Sequence, residues 1–161
     1  MATFGDTTQG GGTYPCTGDR ALLSKFTAPE NGTITDISAA FNSTGANFKG
    51  LVYSDVAGEP SALLGVGAAT ACINGYATST GLSVAITNGT DYWLGSVVDS
   101  FAPSWTYDAA TNVFRQWSSC TYASPPATWS TDDSGTVQTN VYATYTPAAG
   151  GVSKLMLLGV S

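Results

Sequence analysis

The sequence predicts an all-β protein: an antiparallel β-sandwich, jelly-roll-like, with a short C-terminal apolar strand or arm. Two observations predict this class. No window of about a dozen residues keeps apolar positions at the spacing of a helix face. Short runs rich in β-branched and aromatic residues instead alternate with Gly, Asn, Asp and Pro, at spacings of about 8–15 residues. We therefore expect about nine to eleven short strands joined by hairpin turns.

The first predicted strands surround a strong turn signal. Residues 20–26 form a β-rich run, and the Asn31-Gly32 dipeptide that follows is typical of a tight turn. Residues 33–41 then alternate between two faces, which predicts a half-buried strand. One predicted face carries Ile34, Asp36 and Ser38, and the other carries Thr35, Ile37, Ala39 and Phe41.

Turn residues separate the remaining predicted strands. Gly45 precedes a strand at residues 47–54, a loop at 55–60 precedes one at 62–66, and Asn88-Gly89 ends one at 81–86. Further turns are predicted at 108–111 and 132–135. The strands predicted in the second half are residues 91–98, 104–107, 112–117 and 136–146.

The length of 161 residues favours one domain with a substantial core. We assign residues 1–146 to the sandwich domain and residues 147–161 to a linker and a C-terminal strand or arm. This last segment either completes the sandwich or pairs with an open sheet edge of another subunit. The predicted arm residues are Val152, Leu155, Met156, Leu157, Leu158 and Val160.

The composition is poor in charge and rich in hydroxyl groups. Five Lys and Arg oppose 11 Asp and Glu, for a formal net charge of −6, while 23 Thr and 17 Ser make up 40 of the 161 residues. The sequence contains no His, which excludes Ser-His-Asp and Cys-His catalysis and imidazole metal sites. Five scattered cations do not form the basic surface that nucleic-acid binding requires.

The cysteines and carboxylates do not predict a reactive centre. Cys16, Cys72 and Cys120 lack the CxxC spacing of metal sites. They are either free buried thiols or include a Cys72–Cys120 disulfide. Asp132-Asp133 favours a turn over a calcium site, and the other acidic residues also lie mostly in turns. We therefore expect no enzyme activity, no metal and no cofactor.

Aromatic residues are dense between Phe101 and Trp129. Trp93, Trp105, Trp117 and Trp129 follow one another at intervals of twelve residues, although their flanking residues do not repeat. Such side chains either fill a core or form platforms that stack on sugar rings. The candidate stacking residues are Trp105, Trp129, Tyr107 and Trp117.

The sequence shows no membrane-targeting pattern. The first residues lack a basic region followed by an apolar region, so we expect no secretory signal. No apolar run approaches the ~20 residues that a membrane-spanning helix needs, so we expect no membrane insertion.

Four short segments carry a resemblance: residues 4–8, 53–64, 91–95 and 140–145. They resemble a group of β-sandwich modules in the structural proteins of tailed bacteriophages and in bacterial surface proteins. Residues 154–160 are similar to the tails of small phage virion proteins. The resemblance implies an accessory virion protein: a capsid decoration, fibre or tail-associated component. It also implies synthesis in the host cytoplasm and exposure on the exterior of the particle, and it carries no catalytic residues.

Two functions follow as hypotheses. The first is a structural virion protein that binds capsid or tail subunits through protein–protein contacts, as a homo-oligomer. The alternative is a carbohydrate-binding module or receptor-binding domain that recognises a cell-surface glycan, because the same sandwich fold serves both purposes.

Overall fold

The computed structural model describes residues 1–101 and 103–149, with all of their side chains except those of residues 110–113. This described part contains thirteen strands and no helix, which confirms the predicted all-β class. The strands are β1 (Ala2–Gly5), β2 (Gly12–Pro15), β3 (Ala21–Thr27), β4 (Gly32–Phe41), β5 (Asn47–Val56), β6 (Glu59–Val66), β7 (Thr70–Ala71), β8 (Gly75–Ser79), β9 (Val84–Ile86), β10 (Asp91–Val98), β11 (Ser104–Trp117), β12 (Asp133–Thr139) and β13 (Val141–Pro147).

The strands form one antiparallel sheet with two halves, which we call half A and half B. In half A, β4 lies between β13 and the short strands β8 and β9, and β1 pairs with β13. In half B the order is β11-β3-β10-β5-β6, with β2 and β12 on β11 and β7 on β5. One pair, Trp105 of β11 with Phe41 of β4, connects the halves. The sheet is not closed into a barrel and is consistent with a β-sandwich; the jelly-roll subtype stays a prediction.

The main core receives apolar side chains from both halves. Ile37 of β4 and Ala143 of β13 come from half A, while Val52 of β5 and Leu94 of β10 come from half B. All four are completely buried. Because side chains of both halves belong to one buried cluster, the halves pack face to face, as sheets in a sandwich do.

A second apolar cluster covers the opposite face of half B. Successive side chains of a strand point to opposite faces, so Tyr53 and Trp93 lie on the other side from Val52 and Leu94. Residues 118–132, which we call the cover segment, supply Cys120 and Trp129 to this cluster. Sequence patterning alone did not predict this buried outer face.

Backbone hydrogen bonds hold the cover segment along β6. The amide of Leu63 donates to the carbonyl of Ala127 at 2.8 Å, and the amide of Trp129 donates to the carbonyl of Ser61 at 2.9 Å. The hydroxyl of Tyr53 also donates to the carbonyl of Pro126 at 2.8 Å. The cover segment therefore satisfies part of the β6 edge, which would otherwise end half B.

Three predicted boundaries in the second half are wrong. The predicted turn at 132–135 lies mostly within β12, which begins at Asp133 and pairs with β11. The predicted turn at 108–111 lies within the continuous strand β11, where a register shift between Ala109 and Phe114 in the pairing with β12 accommodates the extra residues. The predicted strand 136–146 is interrupted at Asn140. Its backbone amide donates to the carbonyl of Thr106, and its backbone carbonyl accepts from the amide of Ala40, so Asn140 joins β11 to β4.

The alternation predicted for residues 33–41 is also wrong in part. Ile34 and Ile37 were placed on opposite faces, yet both are completely buried in the main core. The pairing of β4 with β13 shifts register between Thr144 and Tyr145, so that Asp36 pairs with Thr144 and Ile34 pairs with Tyr145. One extra residue in β4 at this shift turns Ile34 to the same side as Ile37.

The body has two ends that bear different features. The loop end holds residues 42–46, 72–74 and 99–101, because β4 and β10 both run towards it. The terminal end holds Met1, Asn31 and Pro147, where the amide of Ala148 donates to the carbonyl of Asn31 at 2.9 Å. β13 reaches Pro147, one residue beyond the predicted domain boundary. The predicted arm residues, 152, 155–158 and 160, lie outside the described part of the chain.

Candidate functional site

Two of the predicted sugar-stacking residues are buried, so the prediction that they form an exposed platform is wrong. Trp105 is 2% exposed, and its Nε1–H donates to the hydroxyl of Ser96 at 2.8 Å. Trp129 is 8% exposed and packs edge-on against Tyr53, with 5.2 Å between ring centroids. Trp105 lies in the main core and Trp129 lies in the second apolar cluster. Burial of such a ring is favourable because it removes a large apolar area from water.

The other two candidates are half-buried and already contact neighbouring groups. Trp117 packs edge-on against Trp129 with 5.6 Å between ring centroids. The ring of Tyr107 lies directly over Gly12, where any Cβ would collide with it. Whether either residue binds sugar stays a prediction.

The twelve-residue spacing of the tryptophans does not place all four together. Trp93, Trp117 and Trp129 meet at the second apolar cluster, whereas Trp105 lies in the main core. Three of the four therefore serve to attach the cover segment and the end of β11 to the outer face of half B.

All three cysteines are free buried thiols, which agrees with the first of the two expectations; the alternative, a Cys72–Cys120 disulfide, is wrong. Cys72 belongs to the main core and Cys120 to the second apolar cluster, so half B lies between them. Burial raises the pKa of the Cys72 thiol to about 12, and the nearby Asp99 carboxylate acts in the same direction. Burial likewise raises the pKa of Cys120 to about 12, with Asp19 adding to the effect. Neither thiol is an activated nucleophile.

We expect the folded protein to react very slowly with a thiol reagent such as Ellman's reagent at pH 8. A thiol with a pKa about four units above the pH is ionised in only about one molecule in 10⁴, and burial also restricts access. Adding guanidinium chloride should release three equivalents of thiol per chain. A release of one equivalent without reductant would contradict the free-thiol state.

The carboxylates mostly bind the backbone or polar side chains of this chain. Asp55 accepts from the amide of Gly58 at 3.1 Å at the β5–β6 turn, as expected for a turn residue. Asp133 accepts from the amide of Ser134 at 2.8 Å at the start of β12. Asp6 and Asp108 both accept from the side-chain amide of Asn140, each at 2.8 Å. Within residues 1–101 and 103–149, no group of three or more potential ligands is placed to hold a metal ion.

A solvent-open depression of about 420 Å³ lies at the loop end. This volume falls within the range of about 300–1,000 Å³ of small-molecule sites. Three connections meet here: the β4–β5 loop, the β7–β8 connection and the residues after β10. The side chains relevant to binding are Thr44, Asn47, Ile73, Asp99 and Ser100.

Among the described residues, Asp99 is the only charged side chain that lines this depression. Its Oδ1 accepts from the backbone amide of Asn47 at 2.9 Å and from the hydroxyl of Ser100 at 3.0 Å. Its Oδ2 accepts from Nδ2 of Asn47 at 2.8 Å. Burial alone would raise the pKa of Asp99, but these hydrogen bonds outweigh it and lower the pKa below its usual range. The group is therefore a fixed carboxylate at neutral pH.

Two large apolar side chains are exposed at the loop end, one in the depression and one in the residue that follows Ser100. Ile73 lines the depression and is 46% exposed. Phe101 follows Ser100 in the chain and is 77% exposed, the most exposed aromatic ring in the described part of the protein. The sequence could have indicated that Phe101 is exposed. Phe101 follows a predicted strand and precedes the Ala102-Pro103 dipeptide, so it does not lie within a β-rich run.

Comparison with protein-family models finds no match to this chain, and comparison with curated proteins finds none either. In the described ranges, no helix is long and apolar enough to cross a membrane.

Proposed function

We propose that this chain is an accessory structural protein of a bacteriophage virion that attaches to the particle through strand pairing at its terminal end. The resemblance of its short segments to phage structural modules suggests this class of protein. The observation that carries the proposal is the difference between β1 and β6, which stand at the two ends of the strand order β1-β13-β4-β11-β3-β10-β5-β6.

The cover segment pairs along part of the β6 edge, whereas no described strand pairs along the outer side of β1. The cover segment bonds to β6 through Leu63 and Trp129, as shown above. β1 pairs with β13 on one side, and among the described residues no strand pairs with its other side. An open edge presents unpaired N–H and C=O groups and so accepts an added strand.

The apolar C-terminal segment starts at the same end as β1. Ala2 pairs with Tyr145, and β13 continues to Pro147, so the chain leaves β13 beside the start of β1. The predicted arm includes Leu155 and Leu157, whose spacing suits one face of a strand. Such a segment could pair with the β1 edge of a neighbouring copy or with an edge on a capsid or tail subunit, which is how an oligomer or a decoration is held.

Deleting residues 152–161 should abolish co-purification with gradient-purified particles, because the pairing strand is removed. The deletion should leave thermal unfolding of the sandwich body nearly unchanged. Light scattering of the full chain and the truncated chain measures self-association separately. Unchanged particle occupancy after the deletion would overturn the arm mechanism.

Two lysine substitutions, one on β1 and one away from it, test whether the open side of β1 is the attachment edge. Thr3 of β1 is exposed, so Thr3→Lys should leave the fold intact while repelling an incoming apolar strand. Thr121→Lys introduces the same charge at an exposed position in the cover segment, away from β1. We expect the first variant to reduce particle occupancy and the second to retain it; equal losses would argue for a nonspecific charge effect.

A further inference from the structure

We propose that the depression at the loop end binds one sugar residue of an uncharged, hydroxyl-rich glycan, with Asp99 and Asn47 binding its hydroxyl groups and Phe101 contacting the face of its ring. This inference goes beyond particle attachment, which is assigned to the terminal end. It also replaces Trp105 and Trp129, which are buried, with a different aromatic residue.

The polar groups of the depression suit hydroxyl ligands. Within the described residues, Oδ2 of Asp99 accepts one hydrogen bond, from Asn47, and a carboxylate oxygen has a second lone pair for another donor. Thr44 and Asn47 are exposed beside it, and both side chains can donate as well as accept. A sugar hydroxyl also donates and accepts hydrogen bonds. Two neighbouring hydroxyls of one sugar can therefore bind the Asp99 carboxylate and the Asn47 side-chain amide at the same time.

The carboxylate is already oriented before a ligand arrives. Two hydrogen bonds from Asn47 and one from Ser100 hold Asp99 in place, so little side-chain freedom would be lost on binding. Hydrogen bonds to a charged group are also stronger than those between neutral groups. This arrangement favours a ligand that donates hydrogen bonds to a fixed anion.

The exposed apolar groups suit the C–H face of a sugar ring. A monosaccharide is amphipathic, with hydroxyls at its rim and C–H bonds on its faces, and an aromatic ring can stack on such a face. Ile73 lines the depression and is 46% exposed, and Phe101, which follows the lining residue Ser100 in the chain, is 77% exposed at the same end of the body. A ligand without an apolar face would leave these side chains in water.

Charge decides against an anionic ligand. Asp99 is the only charged side chain that the described part of the chain contributes to the lining, and the chain as a whole carries a formal net charge of −6. A sulfated, phosphorylated or uronate group placed beside this carboxylate would be repelled. We therefore assign the site to neutral glycans built from hexoses or N-acetylhexosamines.

The site and the proposed attachment region lie at opposite ends of the body. β4 connects them with ten residues, which at about 3.3 Å per residue corresponds to roughly 33 Å. A protein held by its terminal end would present the depression away from the particle surface.

The test is a glycan array that carries neutral hexose, N-acetylhexosamine and uronate polymers, probed with the full chain. We expect binding to at least one neutral polymer and to no uronate. Phe101→Ala and Asn47→Ala should each weaken that binding about tenfold or more. Val56→Ala is the matched control for an exposed apolar residue, because Val56 is 59% exposed and lies at the terminal end.

Each outcome of this test is decisive. Phe101→Ala alters an exposed side chain, so the melting temperature of this variant should match that of the unmodified chain. Thr44→Ala alters a second exposed side chain in the depression and should likewise weaken glycan binding without changing the melting temperature. No signal with any neutral polymer would overturn the proposal, as would binding that both Phe101→Ala and Asn47→Ala leave unchanged. Loss of particle occupancy in Phe101→Ala, with no array signal, would assign the loop end to a protein partner instead. Because particle occupancy and glycan binding are measured separately, failure of one proposal does not imply failure of the other.

Discussion

Gly95→Ala should destabilise the protein by about 3 kcal/mol or more, because its strand has no room for a side chain. Gly95 lies in β10, which pairs with β3 on one side and β5 on the other. A Cβ at this position would collide with the carbonyl oxygen of Leu22, and the Cα of Leu23 would lie only 2.8 Å away. Both obstacles are backbone atoms, so relief requires the two central strands to separate.

The expected decrease in melting temperature is about 6–12 °C for a chain of this size. Thermal unfolding followed by circular dichroism measures it. Gly11→Ala is the matched control, because a Cβ at Gly11 meets nothing within 4 Å and its backbone is not in the left-handed region. A Gly95→Ala protein as stable as the Gly11→Ala protein would contradict the described approach of β10 to β3.

Trp93→Ala should destabilise the protein by about 3–5 kcal/mol, the range typical of deleting a large buried aromatic ring. Trp93 is completely buried in the second apolar cluster, and its Nε1–H donates to Asp55 at 2.8 Å. The guanidinium of Arg115 lies 5.4 Å from the Trp93 ring and is paired with Glu59. Removing the ring leaves a cavity under Arg115 and takes a hydrogen-bond donor from Asp55.

Two further variants separate these contributions. Trp93→Phe retains most of the ring but loses the N–H donor, so we expect a smaller loss than for alanine. Phe101→Ala removes an aromatic ring that is 77% exposed and should change stability by less than about 0.5 kcal/mol. Urea unfolding curves give the three free energies of unfolding. Equal losses for Trp93→Ala and Phe101→Ala would contradict the buried outer face of half B.

The cover segment, residues 118–132, shields the outer face of half B from water. Tyr53, Trp93 and Cys120 are completely buried although they lie on the side of half B that faces away from half A. An antiparallel sheet with one exposed face normally alternates apolar and polar residues. In β10, by contrast, seven consecutive residues from Tyr92 to Val98 are buried. This near-continuous apolar run was visible in the sequence, and it is explained by cover on both faces.

Turns and strands that depend on the residue types of a short segment could be predicted from the sequence. Asn88-Gly89 ends a strand because Gly89 adopts a φ of +73°, which a side chain would disfavour. Residues 47–54 and 91–98 were correctly identified as strands because their side chains suit a pleated, buried surface. The scarcity of helix formers likewise sufficed to predict an all-β chain.

Only the tertiary structure decided which face each aromatic residue occupies and which residues meet at the loop end. Trp105 and Trp129 follow the same twelve-residue interval, yet each is buried in a different cluster, because burial depends on what packs against a strand and not on the strand's own pattern. Asn47 and Asp99 are 52 positions apart and meet only because β5 and β10 pair in one register. The sequence by itself therefore determined the fold class, while long-range packing determined which groups remain at the surface.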